Sequence, residues 1–150
     1  MKQKVTVFGS FVVDLMARTP HLPAPAETVK GSFFKQGAGG KGFNQGVAAH
    51  KAGGDVAMIT KLGRDSMANV ALDVMTKLNM PKDFLFYNDD VATGIALIMV
   101  DENSSQNEIV IVPGACGTIT AEDIKSVEQR ICDSAYILLQ LEVNQDANEA

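Results

Sequence analysis

The stretch Gly37-Ala38-Gly39-Gly40-Lys41-Gly42-Phe43-Asn44-Gln45-Gly46 puts five glycines within ten residues, just where a helical pattern begins. Glycine lets the backbone approach a ligand closely, and a helix N-terminus presents N–H groups that have no partner within the helix. Lys41 and Asn44 lie three apart and so share a face there. A charged donor, an amide and free N–H groups suit a polyhydroxylated or anionic ligand. Two other readings compete. The glycines could serve only positive φ and close packing of helix on sheet, the default for an isolated cluster. Gly37 to Gly42 also match G-x-G-x-x-G, which would make the chain a nucleotide-dependent oxidoreductase binding NAD. That fingerprint belongs in the first strand-to-helix turn, whereas the first strand ends far upstream at Phe8, and the first acid after the next strand, Asp65, follows a glycine. A Walker A loop is excluded, because Phe43 and Asn44 follow Gly42.

The elements that would position these residues alternate between strand and helix. Lys4 to Phe8 reads as a strand, Gly39 to Gly53 as a helix with Gly53-Gly54 as its stop, and Val56 to Leu62 as a buried strand. Pro20, Pro23 and Pro25 mark a loop, with one or two exposed strands after it around Val29 to Phe34. Met67, Val70, Ala71, Val74, Met75 and Leu78 recur at helical spacing behind Ser66 as an N-cap. Ile95 to Val100 and Glu108 to Val112 read as a hairpin, and Thr120 with Asp123 as a capping box for a helix that buries Ile124, Val127 and Ile131. Ala135 to Leu141 is a near-continuous apolar run, the pattern of a central parallel strand covered on both faces. The class is therefore α/β, a mostly parallel sheet flanked by helices and decorated by antiparallel strands. The chain stops nine residues after Leu141, where a crossover helix should begin, so it is expected to be the amino-terminal part of a longer protein.

Composition narrows the partners. At 150 residues, with 46% apolar and 21% charged residues, this is an ordinary globular composition. A net charge of -5 gives nucleic acid and anionic membrane surfaces no electrostatic reason to bind. No apolar run reaches the length of a membrane span and no secretory signal is legible, so the expected location is cytoplasmic. Two cysteines and two histidines support neither a disulfide framework nor a metal site.

The run Gly39-Gly40-Lys41-Gly42-x-Asn44 resembles the first signature of the ribokinase-like carbohydrate kinases, the PfkB family. Gly9-Ser10-x-x-x-Asp14, Pro25-x-Glu27-Thr28, Lys61-Leu62-Gly63-x-Asp65, Thr93-Gly94-x-Ala96, Pro113-Gly114-Ala115 and Gln140-Leu141-Glu142 agree in order and spacing over essentially the whole chain. The resemblance implies a ribokinase-like α/β domain whose residues 1–150 form the sugar-binding part. Lid strands would lie at about 11–36 and 93–112, and the ATP-binding part would lie beyond. It implies that Asp14, at the end of the first strand, accepts hydrogen bonds from sugar hydroxyls. Gly39 and Gly40 would admit the sugar to the backbone, Lys41 and Asn44 would donate to it, and Glu142 would sit at a strand's carboxyl end, where such sheets bind ligands. Ala96 and Ile98 would pack on the sugar ring. Without the resemblance, Asp14 reads as a turn or capping carboxylate, Glu142 as a solvated helix start, and Ala96 and Ile98 as plain strand packing.

The implied reaction is transfer of the γ-phosphoryl group of ATP to a sugar hydroxyl, with Mg²⁺ on the phosphates, a monovalent cation as a further option, and a homodimer joined through the lid. The family's catalytic Asp, in a Gly-Ala-Gly-Asp segment, is not in this sequence, so no catalytic residue is assigned and residues 1–150 alone are expected to be inactive. Read without the missing half, the chain would be a non-catalytic sugar-binding fragment. Val12 stands where ribokinases carry an Asn that binds the pentose. An apolar group there removes that demand and points from ribose toward 2-deoxyribose, as in deoxyribokinases.

Overall fold

In the computed structural model, which describes residues 3–150, the elements run β1 (Lys4–Phe8), β2 (Val12–Thr19), β3 (Phe33–Gly39), α1 (Lys41–Lys51), β4 (Asp55–Gly63), α2 (Ala68–Lys77) and β5 (Leu85–Asn88). They continue with β6 (Thr93–Asp101), β7 (Asn107–Gly114), a 3-10 turn at Ala115–Gly117, α3 (Ala121–Ser126), α4 (Glu128–Cys132), β8 (Tyr136–Leu139) and α5 (Gln145–Glu149). Two sheets result. One is parallel throughout, in the order β5-β4-β1-β8; the other, in the order β3-β2-β6-β7, is mixed.

Alternation along β1 explains the layering. Val7 belongs to a core with Phe11, Phe43, Met58, Leu62, Ala71 and Met75, which packs α1 and α2 on one face of the parallel sheet. Phe8 belongs to a second core with Ile119, Val127, Val143 and Ala147 on the other face. Successive side chains of a strand point to opposite faces, so a strand apolar at both positions requires cover on both. This is the α/β sheet flanked by helices, with a small second sheet, that the sequence predicts.

Several elements depart from the expectation. The glycine run does not form a loop: Gly37 to Gly39 end β3, and the helix begins only at Lys41. A dinucleotide fingerprint therefore lacks its turn after the first strand. Asp14 is not at the end of the first strand but third in β2, an element that the resemblance leaves within the broad lid region of about 11–36. Glu27 to Val29 lie outside any strand, in the proline-bearing connection. Ser66 does not cap α2; Asp65 Oδ1 accepts from Ala68 N at 3.0 Å. The helix expected over Ile124 to Ile131 breaks at Val127 into α3 and α4. β8, read as a central covered strand, is shorter and lies at the sheet edge among the described residues, with Tyr136 to Leu139 exposed. Its apolar pattern is that of a covered strand, and among the described residues it pairs only with β1.

Candidate sugar-binding site

α1 begins without a side-chain cap of its own. Its first N–H groups are satisfied from elsewhere: Lys41 N donates to Glu142 Oε2 at 2.9 Å, and Phe43 N to the Ser10 carbonyl at 2.9 Å. Gly40 turns the chain into the helix at φ +91°, and a Cβ there would meet the Ser10 carbonyl oxygen at 2.7 Å. The crossing from β1 to β2, the helix start and the segment after β8 are thereby brought to one point. Glu142 also accepts from Ser10 Oγ at 2.7 Å and pairs with Lys41 Nζ.

The second sheet supplies the opposite wall. Register pairs Asp14 with Ala96 and Met16 with Ile98 across β2 and β6, then Ala96 with Ile111 and Ile98 with Ile109 across β6 and β7. Val12, Asp14, Ala96, Ile98, Ile109 and Ile111 thus share one face, since side chains alternate with a period of two. That face and the start of α1 enclose a cavity of about 210 Å³. Its lining includes Val12, Asp14, Gly40, Lys41, Asn44, Ala96, Ile98 and Glu142. Of the residues singled out in the sequence only Gly39 is outside the lining. It sits opposite Val12 in β3, where an added Cβ would collide with the Asp14 carboxylate, so its bareness makes room for that group. Ser10 and Pro113, present in the quoted motifs but given no role there, complete the lining with Ile109 and Ile111, which the sequence does not single out. Ile109 and Ile111 were accessible in principle, because the hairpin turn sets the register that carries Ala96 and Ile98 to them.

The two carboxylates differ electrostatically. Burial pushes the Asp14 carboxyl above its ordinary value, and the charge of Glu142 adds to the rise. Burial pushes Glu142 up as well, but its bonds from Lys41 Nζ, Lys41 N and Ser10 outweigh that and hold it below the usual carboxylate range. The cavity therefore offers acceptors at Asp14 and Glu142, donors at Lys41 and Asn44, and an apolar wall. This is a match for a small ring with hydroxyls at its edge and C–H groups on its face. It does not match a polyphosphate, which would meet two carboxylates and one already paired ammonium. Among the described residues there is no group of three or more His, Cys, Asp or Glu that could hold a metal ion. A larger hollow of about 560 Å³ lies on the Phe8 face, lined by Ile124, Ile131, Ile137 and Leu139 with few converging polar groups, and we place no ligand there.

Among the described residues no helix is long and apolar enough to cross a membrane. The chain matches the family model described as pfkB family carbohydrate kinase over residues 2–149. It is 38% identical over 144 residues to the ribokinase of Mus musculus, a match covering 96% of this chain and 44% of that protein. To the deoxyribokinase of Salmonella typhi it is 37% identical over 139 residues, covering 93% of this chain and 45% of the relative. The crystal structure of ribokinase from Cryptococcus neoformans in complex with ADP superposes with a TM-score of 0.83 at 26% identity, covering 98% of this chain and 45% of that one. The chain thus spans less than half the length of the relatives it matches. With this fold and a family match along nearly its whole length, the chain belongs to the pfkB family of carbohydrate kinases.

Proposed function

We propose that this chain is the sugar-binding part of an ATP-dependent pentose kinase, which transfers the γ-phosphoryl group to the 5-hydroxyl of ribose or 2-deoxyribose. The observation that carries the reading is the convergence of Asp14, Lys41, Asn44 and Glu142, from separate segments, on one cavity of about 210 Å³ with an apolar wall. Asp14 accepts from adjacent sugar hydroxyls, and each such charge-assisted bond contributes roughly 1.5–3 kcal/mol. Lys41 and Asn44 donate to the sugar, Glu142 holds Lys41 in place, and Val12, Ala96 and Ile98 pack on the ring. The catalytic base, the nucleotide and its Mg²⁺ belong to a part of the protein outside this chain, in keeping with the poor fit of a polyphosphate to the residues present. The ADP bound by the Cryptococcus relative supports the choice of nucleotide. A cytoplasmic setting and a homodimer joined through the second sheet are parts of the same reading.

Val12 bears on the substrate. It is buried in the cavity wall beside Asp14, where it offers a hydroxyl no partner and leaves one unpaired at a cost. The full-length protein is expected to phosphorylate 2-deoxyribose with the higher kcat/KM, and Val12→Asn to shift the preference toward ribose by about tenfold. Steady-state kinetics with both sugars measure this; an unchanged preference would overturn the assignment of the substrate, and absence of pentose phosphorylation the assignment of the reaction.

A further inference from the structure

Asp65 lies in the turn between β4 and α2, outside the cavity lining, and its carboxylate holds two elements at once. Oδ1 accepts from Ala68 N at 3.0 Å at the first residue of α2, and Oδ2 accepts from Thr93 N at 2.7 Å at the first residue of β6. The bond is reciprocated: Thr93, only 4% exposed, accepts from Gly63 N through Oγ1 at 2.9 Å. Immediately beside it Ala92 accepts from Ala115 N at 2.8 Å, and Thr93 faces Gly114, where φ is +57°. This is the point at which β6 leaves the parallel-sheet body and β7 returns to it. From Thr93, β6 runs about 10 Å to Ala96, at the usual rise per residue, and then on to Ile98. The root of the strand therefore sets where the apolar wall of the cavity stands.

We propose that Asp65 is a positioning residue for the sugar site: by pinning the first residue of β6 to the end of β4 it holds Ala96 and Ile98 at the distance the ring requires. The inference rests on the pentose-kinase reading for its substrate, and on the geometry alone for the anchor. A helix cap needs only one of the two bonds, and the second reaches across to the other sheet. Burial raises the Asp65 carboxyl, but the N–H groups of Thr93 and Ala68 and the Thr93 hydroxyl outweigh it and hold the group ionised below its usual range, as a double acceptor requires.

Asp65→Ser in the full-length protein separates the two bonds, because serine caps a helix about as well as aspartate but is too short to reach Thr93. The expected result is a modest fall in Tm, because Thr93 N loses its acceptor, with a KM for the sugar raised by about tenfold, as for one lost charge-assisted hydrogen bond, and an unchanged KM for ATP. Asp65→Asn, which keeps the reach but turns one acceptor into a donor or loses it, should fall between. Backbone amide exchange at Thr93 should accelerate in Asp65→Ser. An unchanged sugar KM, or both KM values moving together, would overturn the positioning role. If the wild type phosphorylates no pentose, the kinase reading fails. Amide exchange then decides the anchor alone: faster exchange in the variant upholds it and unchanged exchange removes it.

Discussion

Asp14 and Glu142 share one small cavity, yet their environments push their titration in opposite directions. For Asp14 the folded value lies above the unfolded one, so the folded chain binds the proton more tightly. Its contribution is most favourable below about 3.8, and it turns unfavourable as pH rises through the folded value. At neutral pH Asp14 therefore works against stability. Glu142 is the reverse: its contribution is present above about 4.5 and is lost as pH falls through its lowered folded value. Asp14→Asn is accordingly expected to raise Tm at pH 7 in calorimetry, with the gain shrinking toward pH 4. The same change should lower kcat/KM for the sugar by roughly 100-fold, the loss of about two charge-assisted bonds. A lowered Tm would refute this account of the site. A carboxylate held against stability, as Asp14 is, is the kind of cost that a binding site places on a fold.

At the scale of elements, the local signals were legible and the non-local ones were not. Thr120 and Asp123 form the capping box that their spacing predicts, with Thr120 N to Asp123 Oδ2 at 2.9 Å and Asp123 N to Thr120 Oγ1 at 3.1 Å. What the spacing could not tell is that Asp123 also takes Lys61 Nζ of β4 at 2.7 Å, a lysine whose side chain is only 10% exposed. The two caps should therefore differ. Thr120→Ala is expected to cost about 1 kcal/mol, the ordinary value of a cap. Asp123→Ala leaves a mostly buried ammonium without its counter-charge and should cost about 3 kcal/mol. Urea titrations of both variants test the difference, and equal costs would show that the ion pair contributes nothing. The start of α1 makes the same point in reverse. No local cap is visible because Glu142 and Ser10, remote in sequence, do the capping.

At the scale of the molecule, the second sheet turns one face to the cavity, while the other packs Val13, Leu15 and Ile95 on the core at its root and is exposed further out. Leu97 and Val110 pair across β6 and β7 on the outward face, at 45% and 58% exposure, with Phe34 of β3 exposed on the same face. Contiguous apolar surface of this kind on a sheet with an open edge is usually covered by a partner. A second copy of the same sheet is the occupant implied by the proposed homodimer. Light scattering of the full-length protein should give a dimer, and Val110→Lys, which adds charge to an exposed position without touching the core, should give a folded monomer. A monomeric wild type would remove the dimer from the proposal.

The sequence by itself determined the α/β class and the glycine-rich start of α1 with Lys41 and Asn44 on one face, because periodicity and spacing are local properties of the chain; the other six lining residues it named came through the family resemblance. Tertiary structure decided what those residues do together. It placed Asp14 in β2 opposite the space left by Gly39, tied Glu142 to Ser10 and Lys41, and brought Ile109 and Ile111 to the cavity wall through strand register. It also gave Asp65 a second partner in the other sheet. Contacts between residues far apart in sequence depend on how strands pair and layers pack, and a one-residue shift of register would exchange every side chain on the wall. Val12 is accordingly one part of a wall that register, not local sequence, assembles.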